Sequence, residues 1–137
     1  MKYLLDVNVL LAAVWANHPH YPAADAWLKG KSVVVCPISE LGFLRISTNK
    51  KAIAAPMADA RRALETFLRE TKATRVPEDL PALESEAENS EQVTDNYLAA
   101  LAHRHGCKLA TLDGGLKHPA VERVQPTEPG GREAASA

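Results

Sequence analysis

The sequence predicts an α/β fold with a central parallel sheet and helices on both of its faces. Short apolar runs at residues 2–5, 33–36 and 108–112 have the length and composition of strands that are buried on both sides. Longer segments in which apolar residues recur at helical spacing separate these runs. Because parallel strands need crossover connections, this alternation indicates one parallel sheet.

Two helices are predicted between the first two strands, over residues 9–15 and 23–28. Asn8 lies near the start of the first helix, and the proline and histidine residues between 17 and 22 interrupt the chain after it. Gly30 is placed to end the second helix in the left-handed conformation that glycine adopts readily.

The second strand is followed by a third predicted helix, which runs to about Asn49. Pro37 is expected to end the strand, and Ser39 is expected to cap the helix with its side-chain oxygen. This places Glu40 in the first turn, where an acidic side chain is favoured by the helix dipole.

A fourth helix is predicted from Pro56, as a proline in the first turn, to about Thr71. The acidic segment at residues 77–90 contains Pro81, so that a short helix and a loop are equally compatible with it. Neither alternative is favoured by the residue pattern.

The fifth helix is the clearest in the chain, with Thr94 as its expected cap, Asp95 in its first turn and Gly106 as its closing residue. A last strand is possible at residues 121–124. A single folded domain is therefore expected to span residues 1–125, and residues 126–137, rich in Pro, Gly, Ala and Glu, are expected to form a disordered tail.

Composition sets limits on the function. The 137 residues suffice for one domain, and 16 Lys and Arg against 17 Asp and Glu leave a net charge of -1, so a polyanionic partner must be met by a local patch. Cys36 and Cys107 are expected to be buried thiols. Asp6 and Asn8 oppose a secretory signal at the N-terminus, and no stretch reaches the roughly 18 apolar residues of a membrane span, so a cytoplasmic location is expected.

Four acidic residues follow strands or open helices, and these are the candidate site: Asp6, Glu40, Asp95 and Asp113. In open parallel sheets the ligand crevice lies at the carboxyl ends of the strands, where all four are expected to meet. Clustered carboxylates repel one another unless a cation is present. An all-oxygen site suits Mg²⁺ or Mn²⁺ rather than zinc, and such ions assist hydrolysis of phosphodiesters.

Simpler alternatives exist for each of these features. Single acids are favoured in first turns of helices for structural reasons, and an interaction module could carry them only as caps. A phosphatase of the haloacid dehalogenase type would also use an aspartate after the first strand, but Asn8 stands where its second aspartate is expected. The histidine pairs at 18/20 and 103/105 are better explained as surface and capping residues than as metal ligands.

Basic residues follow Glu40 along its helix and line the next helix. Solvated helix faces are their default interpretation, and contact with an RNA backbone is the alternative. The residues concerned are Arg45, Lys50, Lys51, Arg61, Arg62 and Arg69.

Four segments together resemble the motifs of PIN-domain ribonucleases, and most closely those of VapC-type toxins. They are residues 4–11 (LLDVNVLL), 39–45 (SELGFLR), 94–102 (TDNYLAALA) and 109–113 (LATLD). The resemblance implies a three-layer sandwich, a Mg²⁺- or Mn²⁺-dependent endoribonuclease, a dimer and a cognate antitoxin that blocks the site. A PIN nuclease of RNA processing that is not a toxin is the alternative.

The resemblance also implies a role for each site residue. Asp6 and Asp95 would be direct metal ligands, and Glu40 and Asp113 would complete the acidic pocket, often through water. Asn8 and Thr94 would be supporting polar groups.

Overall fold

The computed structural model describes residues 1–126 and contains one sheet of five parallel strands in the order β3-β2-β1-β4-β5. The strands are β1 (Lys2–Leu5), β2 (Ser32–Val35), β3 (Thr74–Arg75), β4 (Lys108–Thr111) and β5 (Val121–Arg123). The predicted parallel sheet is therefore confirmed. Of the tail predicted at residues 126–137, only Pro126 belongs to the described part of the chain.

Five α-helices connect the strands: α1 (Val7–Val14), α2 (Tyr21–Leu28), α3 (Pro37–Thr48), α4 (Met57–Glu70) and α5 (Val93–Arg104). Short 3-10 turns at Ala82–Glu84 and Ser90–Gln92 lie in the segment whose structure the residue pattern left open. Gly30 and Gly106 have φ of +77° and +70°, so each lies in the left-handed region just beyond a helix, as predicted.

The helices cover the two faces of the sheet and form a three-layer sandwich. Leu5, Val35 and Ala110 point to one face and pack against α1, α3 and α4. Their neighbours Leu4, Val34 and Leu109 point to the other face and pack against α5. The strands are buried on both sides, which explains why their sequences are continuously apolar. Within residues 1–126, no helix is long and apolar enough to cross a membrane.

Two predicted helix starts are wrong by a few residues. α3 begins at Pro37 with Cys36 as its N-cap, so Pro37 opens the helix instead of ending the strand, and Ser39 lies within the first turn. Proline suits the first helical position because its φ is preset and its missing N–H is not needed there. The Ser39 hydroxyl still contributes at this end, since it accepts a hydrogen bond from the Cys36 amide at 3.3 Å.

The start of α5 is also earlier than predicted. The helix begins at Val93 with Gln92 as its N-cap, so Thr94 is the second helical residue and does not cap the helix. The side-chain cap belongs to the preceding 3-10 turn, where Asn89 accepts a hydrogen bond from the Gln92 amide at 3.2 Å. Asp95 remains in the first turn, as predicted.

Two further predictions need correction. α2 begins at Tyr21, so Pro22 lies in its first turn and does not interrupt the chain, and Pro56 is the N-cap of α4 rather than its first residue. Strand β3 was not predicted, because its two residues are both exposed and lack the apolar pattern of a strand. Both cysteines are free and buried, as predicted.

Helices α1 and α3 approach closely at Gly42. A Cβ atom at this position would lie 2.6 Å from Val7 Cγ2, which is well inside van der Waals contact. Val7 is β-branched and has one preferred rotamer in a helix, so it cannot turn aside. The glycine therefore sets the distance between the two helices.

We expect Gly42→Ala to lower the free energy of unfolding by about 1 to 3 kcal/mol, because the added methyl group overpacks this contact. Urea denaturation measures the change. The control is Leu41→Ala on the same helix, where the wild-type side chain is 62% exposed and truncation should have little effect. Equal stability of the two variants would contradict the proposed close contact.

Candidate active site

The candidate site lies at the carboxyl edge of the sheet, beside its central strand. β1 pairs with β2 on one side and with β4 on the other. The sheet therefore grows from β1 in both directions, with β2 and β3 on one side and β4 and β5 on the other. The helices that follow neighbouring strands diverge at such a point and leave a crevice, where parallel sheets commonly bind ligands. Asp6 directly follows β1, and Asp113 is the second residue after β4. Asp95 lies in the first turn of α5, the helix that leads into β4.

Asp6 is the buried centre of the site, with only 2% of its surface exposed. Its backbone amide donates to the Ala110 carbonyl at 3.0 Å and extends the pairing of β1 with β4. Its Oδ1 accepts from the Val7 amide at 2.7 Å, which caps α1. Its Oδ2 accepts from the Thr111 hydroxyl at 2.8 Å. The carboxylate is therefore held in one orientation by both of its oxygens.

Thr111 is the residue of this site that the sequence prediction missed. Its side chain is completely buried at the end of β4. Besides donating to Asp6, its hydroxyl oxygen accepts from the Asp113 amide at 3.1 Å and from Asn8 Nδ2 at 3.4 Å. A hydroxyl in an otherwise apolar buried strand was the available signal. Thr111 links two of the acids to one another.

Asn8 binds the end of β4 and the residue that follows it, and the supporting role predicted for Asn8 stays a prediction. In addition to its contact with Thr111, its Oδ1 accepts from the Leu112 amide at 3.1 Å. Both ends of the amide group thus bind the segment that leads from β4 to Asp113. This arrangement fixes the position of that segment relative to α1.

Asp95 and Asp6 share a hydrogen bond, and their ionisation is linked. Burial, the charge of Asp6 and this hydrogen bond raise the pKa of Asp95 to about 7. Burial also raises the pKa of Asp6, although hydrogen bonds from Thr111 and Val7 oppose that effect. Because the two carboxylates lie side by side, a proton on one of them lowers the cost of a charge on the other.

Asp113 is the exposed member of the group. Its Oδ1 accepts from the Gly115 amide at 2.8 Å, which orients the side chain. Its negative charge adds to the factors that raise the pKa of Asp6 and of Asp95. The structure thus brings three of the four predicted acids within electrostatic reach of one another.

Glu40 has a different environment, although it lies in the first turn of the helix that follows β2. Its two oxygens accept from Nε and Nη2 of Arg75, at 2.8 and 2.6 Å. Glu40 is not among the groups that shift the pKa of Asp6 or Asp95. Its part in the site stays a prediction.

The supporting role predicted for Thr94 also stays a prediction. This residue is exposed and lines a cavity of about 470 Å³ between α5 and residues 78–85, together with Ile38 and Tyr97. Although Thr94 precedes Asp95 in the chain, its side chain therefore lies on a different surface of α5.

The three aspartates offer only oxygen ligands, which fit a hard divalent cation. Within the described chain, no three His, Cys, Asp or Glu side chains are already arranged to hold a metal ion together. Mg²⁺ keeps several waters and is usually bound by one or two carboxylates, so two aspartates would suffice to hold it. Asp6 and Asp95 are the pair that fits best, since a cation would remove the cost of placing their two charges side by side.

Comparisons with known proteins agree on one family. The family model described as PIN domain matches residues 3–122. Ribonuclease VapC38 of Mycobacterium tuberculosis is 36% identical over 133 residues, which cover 88% of this chain and 91% of that protein. Ribonuclease VapC39 of the same organism is 37% identical over 129 residues, with 85% of this chain and 91% of that protein covered.

A solved structure agrees with the fold. The crystal structure of VapBC2 from Rickettsia felis bound to a DNA fragment from their promoter contains a chain with a TM-score of 0.60 and 18% sequence identity. The match covers 90% of this chain and 98% of that chain. At this identity the likeness concerns the fold.

We expect Thr111→Val to destabilise the protein by about 1 to 3 kcal/mol, because the substitution keeps the shape but leaves buried polar groups of the site without a partner. Urea denaturation at neutral pH measures the loss. Thr111→Ser is the matched control, since it keeps the hydroxyl and should retain most of the stability. A valine variant as stable as the serine variant would contradict the linking role of this hydroxyl.

The metal-free protein should become less stable as the pH rises between about 5 and 8. The pKa of Asp95 is raised from its ordinary value of 3.8 to about 7, so the folded state binds this proton more tightly than the unfolded chain. The resulting stabilisation is complete below the unfolded value and is lost as the pH passes through the folded value.

Thermal melting in EDTA across this range measures the effect. Asp95→Asn removes the titrating group and should flatten the profile. A profile with the same slope in this variant would show that another group is responsible.

Proposed function

Since the chain belongs to the PIN domain family, we propose that it is a Mg²⁺- or Mn²⁺-dependent endoribonuclease and the toxin of a type II toxin–antitoxin pair. The observation that carries the proposal is the contact between Asp6, 2% exposed, and Asp95, whose pKa is raised to about 7. A pair of acids held together in this way is costly for a metal-free protein and is suited to a divalent cation.

The metal would be held directly by Asp6 and Asp95, with Asp113 and Glu40 acting through water. When bound, a divalent cation supplies activation of a water and stabilisation of charge on the phosphate and leaving oxygen. Asp6 is ready for this task, because Val7 and Thr111 fix both of its oxygens. Asp95 must release its proton, so metal binding should weaken as the pH falls below about 7.

Asp113 is suited to orient the water that attacks the phosphodiester. The Gly115 amide holds its Oδ1, and the side chain is exposed. Its Oδ2 can therefore accept a hydrogen bond, and then a proton, from a water in the crevice. Asn8 keeps the segment that carries Asp113 in register with Asp6.

RNA as the substrate is supported by the relatives, since several proteins at 36 to 37% identity are named ribonucleases. A cognate antitoxin and a homodimer are proposed from the resemblance to VapC-type toxins, and the VapBC2 complex of Rickettsia felis supports a protein partner. A basic side chain of the antitoxin, most simply an arginine, would enter the acidic pocket and block it.

A PIN nuclease of RNA processing is the alternative within the same family. It would use the same acids, so the active site does not separate the two. A small DNA-binding protein encoded next to this gene, able to suppress its RNA cleavage, would identify a toxin.

Asp6→Asn and Asp95→Asn should each abolish RNA cleavage in the presence of Mg²⁺ or Mn²⁺, because an amide cannot supply the charge of a carboxylate ligand. Neither variant should unfold, since each relieves repulsion between the acids, and an asparagine at position 95 can still donate a hydrogen bond to Asp6. Cleavage of labelled RNA with and without EDTA, together with the melting temperature, measures both effects.

The control is Asp25→Asn, an exposed residue of α2 that pairs with Lys29 at 3.9 Å. It should cleave like the unsubstituted protein. Wild-type cleavage by Asp95→Asn would show that the mechanism is wrong.

A further inference from the structure

The two outer strands of the sheet both end in arginine. All five strands are parallel, so their carboxyl ends lie along one edge, and the strand order places β3 and β5 at its two extremes. Arg75 ends β3 and Arg123 ends β5. The acidic site lies between them, at the ends of β1 and β4.

The register of the strands puts these arginines close to the level of the site. Arg75 is paired with Val35, the last residue of β2, and Arg123 is paired with Thr111, the residue that binds Asp6. Neighbouring strands are about 4.8 Å apart, so β3 and β5 each lie about 10 Å from the central strand. The strands that end in these arginines thus flank the acids on either side.

Arg75 is held in a defined orientation and still has donors to offer. Glu40 accepts from its Nε and Nη2, which uses two of the five N–H groups of a guanidinium. The Arg75 side chain is 56% exposed, whereas that of Glu40 is 15% exposed. The remaining donors can therefore bind a group that arrives from solvent, and Glu40 keeps the arginine in place for it.

Arg123, on the other side of the site, is positioned by one hydrogen bond to the backbone. Its Nε donates to the Leu112 carbonyl at 3.4 Å, next to Asp113. Its guanidinium lies over Gly114, where a Cβ atom would approach Arg123 Cζ to 2.9 Å. The absence of a side chain at Gly114 admits the arginine to the edge of the site, and both Nη atoms remain as donors.

We propose that Arg75 and Arg123 bind the phosphates of the RNA backbone on the two sides of the scissile bond. The acidic site repels a polyanion, and a net charge of -1 provides no general attraction, so binding needs local cations. Guanidinium groups suit this task because they bind phosphate oxygens in pairs. The proposal rests on the proposed ribonuclease function and adds substrate-binding residues to it.

Binding of RNA is measured in the Asp95→Asn background, so that cleavage does not interfere. The probe is a short, fluorescein-labelled single-stranded RNA of mixed sequence, with Mg²⁺ present, titrated by fluorescence anisotropy between about 50 and 200 mM NaCl. The variants are Arg75→Gln and Arg123→Gln, and Arg75→Lys and Arg123→Lys. Arg104→Gln is the matched control, because Arg104 is also exposed and paired with an acid, Asp79, but ends α5 and so lies at the opposite edge of the sheet.

Each glutamine variant should weaken binding several-fold and reduce the slope of log K against log salt by about 0.7, the value for one lost phosphate contact on a single strand. Each lysine variant should restore the slope because it restores the charge. Arg104→Gln should change neither quantity. Melting temperatures establish whether the variants are folded. If Arg75→Gln is not folded, Arg123→Gln and Arg123→Lys provide the test.

Unchanged slopes in both glutamine variants would overturn the proposal. If Arg75→Gln reduces the slope and Arg75→Lys does not restore it, Arg75 only supports Glu40. This result would overturn the assignment of Arg75 as a phosphate-binding residue. Cleavage of the same RNA by the unsubstituted chain separates these results from failure of the function. If the chain cleaves RNA and the slopes are unchanged, only the inference is wrong. If no RNA is cleaved, the proposed ribonuclease function is wrong, and so is the placement of the two arginines beside a scissile bond.

Discussion

The hydrogen bond between Thr111 and Asp6 joins the two strands on which the candidate site depends. It connects residues that are 105 positions apart in the chain, at the point where β1 and β4 lie side by side. The same Asp6 caps α1, and the same hydroxyl receives the amide of Asp113. Loss of this contact would disturb a helix start, a strand pairing and two acidic side chains together.

The site is therefore built into the core and is not added to its surface. Asp6 is almost completely buried, and its partner Asp95 lies in the first turn of the helix that covers the second face of the sheet. Burial raises the pKa of both groups, which shows that the metal-free fold carries an electrostatic cost here. Such a cost is characteristic of functional sites, where stability is given up for reactivity.

Along the carboxyl edge of the sheet, the sign of the charged side chains depends on the strand that they follow or end. The aspartates lie beside the central pair of strands, and arginines end the outer pair. Glu40 stands at the boundary, where it follows β2 and binds Arg75 of the neighbouring strand. This order gives a negative centre that suits a cation, and positive flanks that suit a phosphate backbone, in a protein with almost no net charge.

The sequence by itself determined the alternation of elements, the buried character of the strands and the residues that end α2 and α5, because these depend on local spacing and on the conformational freedom of Gly30 and Gly106. It also indicated the acids that follow strands. Only the tertiary structure decided that Asp6 meets Asp95, that Thr111 joins Asp6 to Asp113, and that Glu40 binds Arg75. These contacts link residues far apart in the chain, and their geometry follows from strand order and register, which no local pattern encodes.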